Sequence, residues 1–306
     1  MARCDALEKL RTAQNEKRLT VHAAAMGQLL NIAEPAEHQR AQAFLADHFG
    51  DLYTVKANVA ELRKAILQLA VMGKLVPQNP NDPPASELLK DIEAEKKRLV
   101  KEGKIKAPKP LPPVTEEEKP YALPQGWEWV RLGHLLTFEY GDNLPADNRS
   151  NSGEFPVYGS NGIVGTHNEA FLNQPCIVIG RKGSAGALNL CLSEGCCITD
   201  VAYYCVPPTG IDLIFCFQLL HILKLDSLGK GIKPGLNRNE AYDLIIAIPP
   251  LDEQHRIVAK IDELMALCDS QDRHIAAATD KQTELLDAVM AHIQPTSPNQ
   301  SVAAVM

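Results

Sequence analysis

From Leu251 to Ile293 the chain holds a seven-residue apolar spacing. Ile257, Ile261, Leu264, Cys268, Gln271, Ile275, Ala278, Gln282, Leu285 and Val289 fall in alternating steps of four and three, with no Gly or Pro after Pro250 to interrupt them. A stripe of this period keeps one seam against a partner only when the helices supercoil left-handedly. The spacing predicts a single helix of roughly 42 residues, about 63 Å long at 1.5 Å per residue. Helical propensity alone does not stabilise such a length, so the stripe needs a partner face.

A second stripe can supply it. Leu52, Val55, Val59, Leu62, Ile66 and Leu69 step by three and four in the same way. Gly73 stands where a left-handed C-cap is wanted, and Pro77 forbids continuation. The plain reading is an intramolecular helical hairpin. The wider one is a closed architecture that joins the chain's ends around whatever lies between. The ends also echo each other. Met1-Ala2-Arg3-Cys4-Asp5 matches Met265-Ala266-Leu267-Cys268-Asp269 at four of five places, and Glu61-Leu62-Arg63-Lys64-Ala65 is similar to Glu284-Leu285-Leu286-Asp287-Ala288. Two matches in the same order suggest a degenerate repeat.

Along the chain, residues 1–80 read as a helical region, with a break at Asn31–Pro35 and a further helix, or two segments of it, to about Leu75. Residues 81–120 hold a basic helix, with Ser86 as its expected cap and Val100 near its end, then a Pro-rich linker. Residues 121–250 change character. Strand-like runs at Cys176–Ile179, Cys197–Val206 and Leu244–Ile248 alternate with Gly-, Asn- and Pro-rich turns, and Ile211 to Leu225 reads as a helix. Residues 251–293 form the long helix, and 294–306 a polar tail expected to be disordered. The fold class is α+β: one globular mixed α/β domain plus long coiled-coil helices.

Composition excludes several classes. No apolar run approaches the ~18 residues of a membrane span, and the N-terminus lacks a signal peptide's apolar core, so a cytoplasmic protein with no membrane partner is expected. The eight cysteines show no CxxC or zinc-type spacing. Buried reduced thiols account for them, with no metal expected; a metal cluster at Cys191, Cys196 and Cys197 is the alternative. The formal charge is −7. Residues 121–250 carry 8 basic and 12 acidic side chains, net −4. That is not a usual nucleic-acid footprint.

Three turn clusters in residues 121–250 bear chemistry. One is Tyr158-Gly159-Ser160-Asn161-Gly162, followed by His167. The next is Gly180-Arg181-Lys182-Gly183-Ser184-Ala185-Gly186. The third is Gly229-Lys230-Gly231-Ile232-Lys233-Pro234-Gly235-Leu236-Asn237-Arg238-Asn239. Each sets amide, hydroxyl or cationic donors on a loop whose glycines permit close approach to a phosphate or base edge. Arg or Lys suits guanine, and Asn suits adenine. The candidate DNA-binding residues are Tyr158, Ser160, Asn161, His167, Arg181, Lys182, Ser184, Lys230, Lys233, Asn237 and Arg238. The bland alternative for any one loop is a simple turn. Enzymatic readings fare worse. GxxxxGK[ST], GxSxG and HExxH are all unmet, and Ile248-Pro249-Pro250-Leu251 lacks the leading Asn or Asp of an amino-methyltransferase. No catalytic residue is assigned.

The sequence resembles the DNA-specificity subunit of type I restriction-modification enzymes. Ala122-Leu123-Pro124-Gln125-Gly126-Trp127-Glu128-Trp129 looks like the entry to that family's target-recognition domain. Pro156-Val157-Tyr158-Gly159-Ser160-Asn161-Gly162 and Gly180-Arg181-Lys182-Gly183-Ser184-Ala185-Gly186 look like its internal motifs. Leu236-Asn237-Arg238 and Ile248-Pro249-Pro250-Leu251-Asp252-Glu253-Gln254-His255-Arg256-Ile257-Val258 resemble its exit, and the run from Leu62 to Pro77 the helical region before it. The resemblance implies a non-catalytic chain whose recognition domain reads one half of a two-part site on double-stranded DNA. It implies helices that space two such domains and dock methyltransferase subunits. It also implies that S-adenosylmethionine, ATP and Mg belong to the partner methyltransferase and motor subunits, with no cofactor in this chain. Family members usually carry two recognition domains and this chain has one, so a half-length subunit or fragment that pairs as a homodimer is expected. The rivals are a self-contained methyltransferase or nuclease fragment, and a helical scaffold that grips protein.

Overall fold

The computed structural model describes residues 2–31, 35–103, 110–229 and 235–293. The expected disordered tail, the linker segment 104–109, and Lys230 and Lys233 lie outside the described residues. The chain divides into two compact units. One comprises residues 1–65 and 264–306, the other residues 66–263.

The first unit is helical. It contains α1 (Ala2–Asn31), α2 (Pro35–Asp47), α3 (Phe49–Leu52), the start of α4 (Lys56–Val71) and the later part of α9 (Leu251–Ile293). The helix expected from Pro35 to about Leu75 is thus three segments, ending at Val71. Leu52, Tyr53, Val59, Ala65 and Cys268 are buried together with Ala25, Met26 and Leu29 of α1. Buried polar groups find partners. His22 Nε2 lies 3.1 Å from Tyr53 Oη, and Gln271 Nε2 donates to Tyr53 O at 2.8 Å. Arg63 joins the two stripes by pairing with Asp269 and Asp272, at 2.6 and 3.0 Å.

The two stripes therefore meet in this unit, but only in part. Leu52 and Val59 are buried, while Val55, Leu62, Leu264 and Ile275 are half-buried. From Ala277 to Val289 the long helix is bare: Leu285 is 68 % and Val289 55 % exposed. These two were expected to pair with the Leu52–Leu69 stripe, and they do not. Within α4 that stripe spans only about 15 Å of helix from Val59 to Leu69, against about 48 Å from Ile257 to Val289.

The second unit holds the nine strands found among the described residues. They are β1 (Glu128–Arg131), β2 (Glu139–Tyr140), β3 (Phe155–Gly159), β4 (Gly162–His167), β5 (Cys176–Gly180), β6 (Leu188–Cys191), β7 (Cys197–Ile198), β8 (Ala202–Cys205) and β9 (Ile245–Ile248). They form three sheets, ordered β1-β9, β2-β8-β5-β6 and β4-β3-β7. The apolar run Cys-Ile-Val-Ile makes β5 the buried centre of the largest sheet, paired with both β6 and β8. The run Cys197–Val206 is not one strand. Thr199–Val201 turns the chain out of β7 and into β8, which lie in different sheets. Of the remaining helices, α6 spans Leu132–Leu135 and α8 spans Arg238–Tyr242. The apolar helix α7 (Leu213–Ile222) is capped by Asp212, whose Oδ1 accepts from Phe215 N at 2.8 Å, and it packs against β5 and β6.

The described parts of the 81–120 segment pack within this unit. Helix α5 (Ala85–Lys101) starts at Pro84, without the expected Ser86 cap, and buries Ala85 and Ile92. Lys96 Nζ donates to His134 O at 2.8 Å, and burial pushes its pKa down to about 8. Arg131 bonds both Pro112 O and Glu118. The end of α4 lies here too, with Ile66 and Leu69 buried. Gly73, at φ +67°, closes that helix: its N–H donates to Ala70 O, and Lys74 N–H to Leu69 O at 2.9 Å. These are the paired bonds of a Schellman cap. An added Cβ at Gly73 would meet Pro124 Cγ at 2.4 Å, so the entry motif of the domain rests directly on the cap. At the other end, β1 pairs antiparallel with β9, and α9 leaves from Pro250 with Ile257 and Ile261 buried.

Candidate nucleic-acid interface

The three glycine-bearing loops converge. Ser160 and Asn161 form the turn between β3 and β4, with positive φ falling on Gly162 rather than on the two central residues. The register slips between Val157 and Tyr158, and such a bulge re-aims the side chains beyond it. Ile163 and Val164 are both exposed just past the turn. Ser160 O packs against the second loop so closely that a Cβ on Gly180 would lie 2.4 Å from it and 2.0 Å from Ser184 O. The third loop is tied to the second by Leu236 N–H to Arg181 O, at 2.9 Å, and by the Lys182–Gly235 bridge.

At the centre stands Tyr140 of β2, 49 % exposed. The Arg238 guanidinium lies 4.7 Å from its ring centre and that of Arg181 5.1 Å. Both arginines are also fixed by backbone carbonyls. Arg238 Nη1 donates to Phe138 O at 2.9 Å, and Arg181 Nε to Asp200 O at 2.9 Å, with Arg181 Nη2 on the same oxygen. Tyr203 stands beside Tyr140, edge to face at 5.0 Å. Burial pushes the Tyr203 hydroxyl up to about 12, its contact with Tyr140 adds to this, and the two arginines oppose it. The group combines cations, a stacking face and exposed donors, which is the chemistry that phosphates and base edges require.

The candidate residues divide. Ser160, Asn161, Arg181, Lys182, Ser184 and Arg238 lie on the converging loops, with Asn161 and Lys182 exposed. Three others do not present a free side chain there. Tyr158 is 7 % exposed and packs in a buried cluster with Cys176, Cys191 and Cys196, so its ring supports the loop from the core. Asn237 caps α8, its side-chain oxygen accepting from Asn239 N–H at 3.1 Å. His167 stands at the far end of the hairpin, opposite Phe155, with Nδ1 accepting from Ser150 N–H at 3.3 Å. Tyr140, Tyr203 and Asp200 were missed by sequence reading. An aromatic in a two-residue strand carries no periodic signal.

A compact domain of small sheets that gathers cations and aromatic rings on one loop cluster, with a long helix leaving it, has the make-up of a recognition module. Residues 124–278 match the family model of the type I restriction modification DNA specificity domain. The chain belongs to this family. It is 32 % identical to the type I restriction enzyme EcoAI specificity subunit of Escherichia coli and 30 % identical to the EcoEI specificity subunit of the same organism, in each case over 94 % of this chain and 54 % of the relative. The chain thus spans about half the length of the curated relatives it matches. A crystal structure of the HsdS subunit from Thermoanaerobacter tengcongensis superposes with a TM-score of 0.43 at 21 % identity, over 76 % of this chain and 56 % of that one. Among the described residues, no helix is long and apolar enough to cross a membrane.

Proposed function

We propose that this chain is the non-catalytic DNA-reading part of a cytoplasmic type I restriction-modification complex, and that it recognises one half of a bipartite site. The observation that carries this reading is the convergence of three loops on Tyr140, with Arg181 and Arg238 stacked on its ring. Arg238 is the base reader. One donor is spent on Phe138 O, and Nε with Nη2 offers the bidentate edge that guanine O6 and N7 accept. Arg181 donates from Nε and Nη2 to Asp200 O and so positions the second loop, while Lys182 and Asn161 face phosphate. The helices dock the methyltransferase subunits. S-adenosylmethionine, ATP and Mg act in those and the motor subunit.

The test is selection from random duplexes by this chain assembled with its methyltransferase subunits. Enrichment of a short fixed sequence, relaxed at one position by Arg238→Ala, is expected. Binding of S-adenosylmethionine by the chain alone would favour a self-contained enzyme. Absence of any enriched sequence would favour a protein scaffold.

The bare apolar stripe from Ala278 to Val289 supports a second part of this reading, a two-fold pair of chains. A seven-residue stripe is self-complementary in a coiled coil, so a second copy can cover it.

A further inference from the structure

The recognition unit holds a group of side chains that reading DNA does not use. Cys176 begins β5, Cys191 ends β6, and Cys196 immediately precedes β7. All three are fully buried, and their Sγ atoms lie within 4.8 Å of one another. From this geometry we infer that Cys176, Cys191 and Cys196 form a binding site for one thiophilic cation of the zinc class.

The spacing fits. At a metal–sulfur bond of about 2.3 Å, three thiolates of one site sit about 3.8–4.0 Å apart. Cys176 Sγ and Cys196 Sγ are already 3.9 Å apart. The ligands are held by backbone, not by chance rotamers. Cys176 and Cys191 are direct cross-strand partners and so project from one face of their sheet. Cys196 exchanges two backbone hydrogen bonds with Leu172, at 2.9 and 3.0 Å. Sequence spacing pointed to Cys197 as the third member, but its thiol turns away to Glu169 O at 3.1 Å. Cys176, twenty residues from Cys196, takes its place through strand pairing.

The donor set selects the cation. Among the described residues no carboxylate or imidazole joins the group, so hard cations such as Mg or Ca have no oxygen ligands there. Zinc in structural sites takes four ligands. Tyr158 packs in the same buried cluster as the three cysteines, and its hydroxyl can serve as the fourth. Val178, Ile198 and Ala202 wall the site against water. Loading releases three thiol protons to solvent, and three thiolates with a neutral phenol and a divalent cation leave one net negative charge. The site would tie β5 and β6 of one sheet to the start of β7 in another, and through Tyr158 to β3, which leads into the turn of Ser160 and Asn161. It stands whether or not those loops read DNA.

The test uses the full chain, reduced and stripped by chelator, then titrated with Co(II) and with Zn(II). One cation per chain should survive desalting. Co(II) should give a thiolate charge-transfer band and intense tetrahedral ligand-field bands. Zn(II) at a hundredfold excess over Kd should raise Tm by about 5–10 °C. Cys191→Ser should weaken the charge-transfer band and lower affinity at least tenfold, while Cys268→Ser in the helical unit leaves both unchanged. If Cys191→Ser fails to fold, the wild-type band decides alone. A chain that retains no Co(II), a Co(II) spectrum without thiolate charge transfer, or undiminished retention by Cys191→Ser overturns the assignment.

Discussion

The guanidinium of Arg238 rests 4.7 Å from the ring centre of Tyr140, and Arg181 reaches the same ring from a different loop. Two cations on one aromatic side chain repel each other. The ring's negative face, the carbonyls of Phe138 and Asp200, and the Asp200 carboxylate 3.9 Å from Arg181 offset that repulsion. A phosphate or a guanine edge would offset it further. The arrangement is therefore held ready in the free chain, and ordering two long side chains does not have to be met by the binding step.

Arg238→Ala should weaken specific binding by the assembled complex by about 1–3 kcal/mol, confined to one base position. Arg238→Lys should not rescue it, since an ammonium lacks the flat paired donors. Tyr140→Ala should cost about 0.5–2 kcal/mol through both arginines, and Tyr140→Phe much less. Competition binding with single-base variants of the selected site measures all three. An equal loss on every sequence would place Arg238 on phosphate instead.

Much of this domain was legible from sequence, for physical reasons that differ by element. The run Cys176–Ile179 is apolar on both faces because β5 lies inside a sheet, and such a run is visible without knowing its partners. Gly73 was legible because only a left-handed residue closes a helix in that way. Strand β2 was not legible, having two residues and no period to read, and β7 and β8 read as one run because nothing local marks their separation into two sheets. Loop convergence was not legible either. Arg181 and Arg238 are brought together by Lys182 pairing with Gly235, a register that no local pattern encodes. Asn237 and Tyr158 add engagements that a loop's sequence does not reveal, a helix cap and a place in a buried cluster.

Charge sets a second expectation. Residues 121–250 carry a net −4, which weakens long-range attraction to a phosphate backbone whatever the local cluster offers. The isolated chain should bind duplex DNA poorly at physiological salt, and added methyltransferase subunit should restore tight binding. Titration by fluorescence anisotropy with and without that subunit checks it. Equal affinity in both arms would mean that the loop cluster suffices.

Glu253 offers a pH test of the helix exit. It is 1 % exposed; Oε2 accepts from Trp127 Nε1 at 3.0 Å, while Oε1 is buried with no hydrogen-bond partner among the described residues. Burial raises its pKa above the ordinary carboxylate value, against the pull of Trp127, Gln78 and Arg256. The folded chain therefore binds more protons than the unfolded one between the ordinary value and the raised one. Stability from this group falls as pH rises through that window, by ~1.4 kcal/mol for each unit of elevation. Glu253→Gln keeps an acceptor for Trp127 and removes the charge. Its urea midpoint should exceed the wild type's at pH 7, and the gap should close as pH falls below the window. A gap that persists at low pH would assign the effect to packing.

The far end of α9 carries the last prediction. Leu285 and Val289 continue the stripe of Ile257 and Ile261, yet they stand 68 % and 55 % exposed, with Leu286 at 65 % beside them. Apolar side chains at this spacing gain little from water and much from a second helix of the same pattern, about 1.5–3 kcal/mol for each fully buried side chain. Two chains related by a two-fold axis would cover both stripes and place two identical reading domains on one assembly, which suits a symmetric gapped site. Light scattering on the purified chain should show a dimer at high concentration. The double substitution Leu285→Asp and Val289→Asp should convert it to monomer without lowering Tm by more than the lost association explains. Because both side chains are solvent-facing within one chain, they can be charged without disturbing a core. A wild-type chain that stays monomeric at every concentration would leave the stripe to the methyltransferase subunit, and the same double variant should then fail to assemble with it.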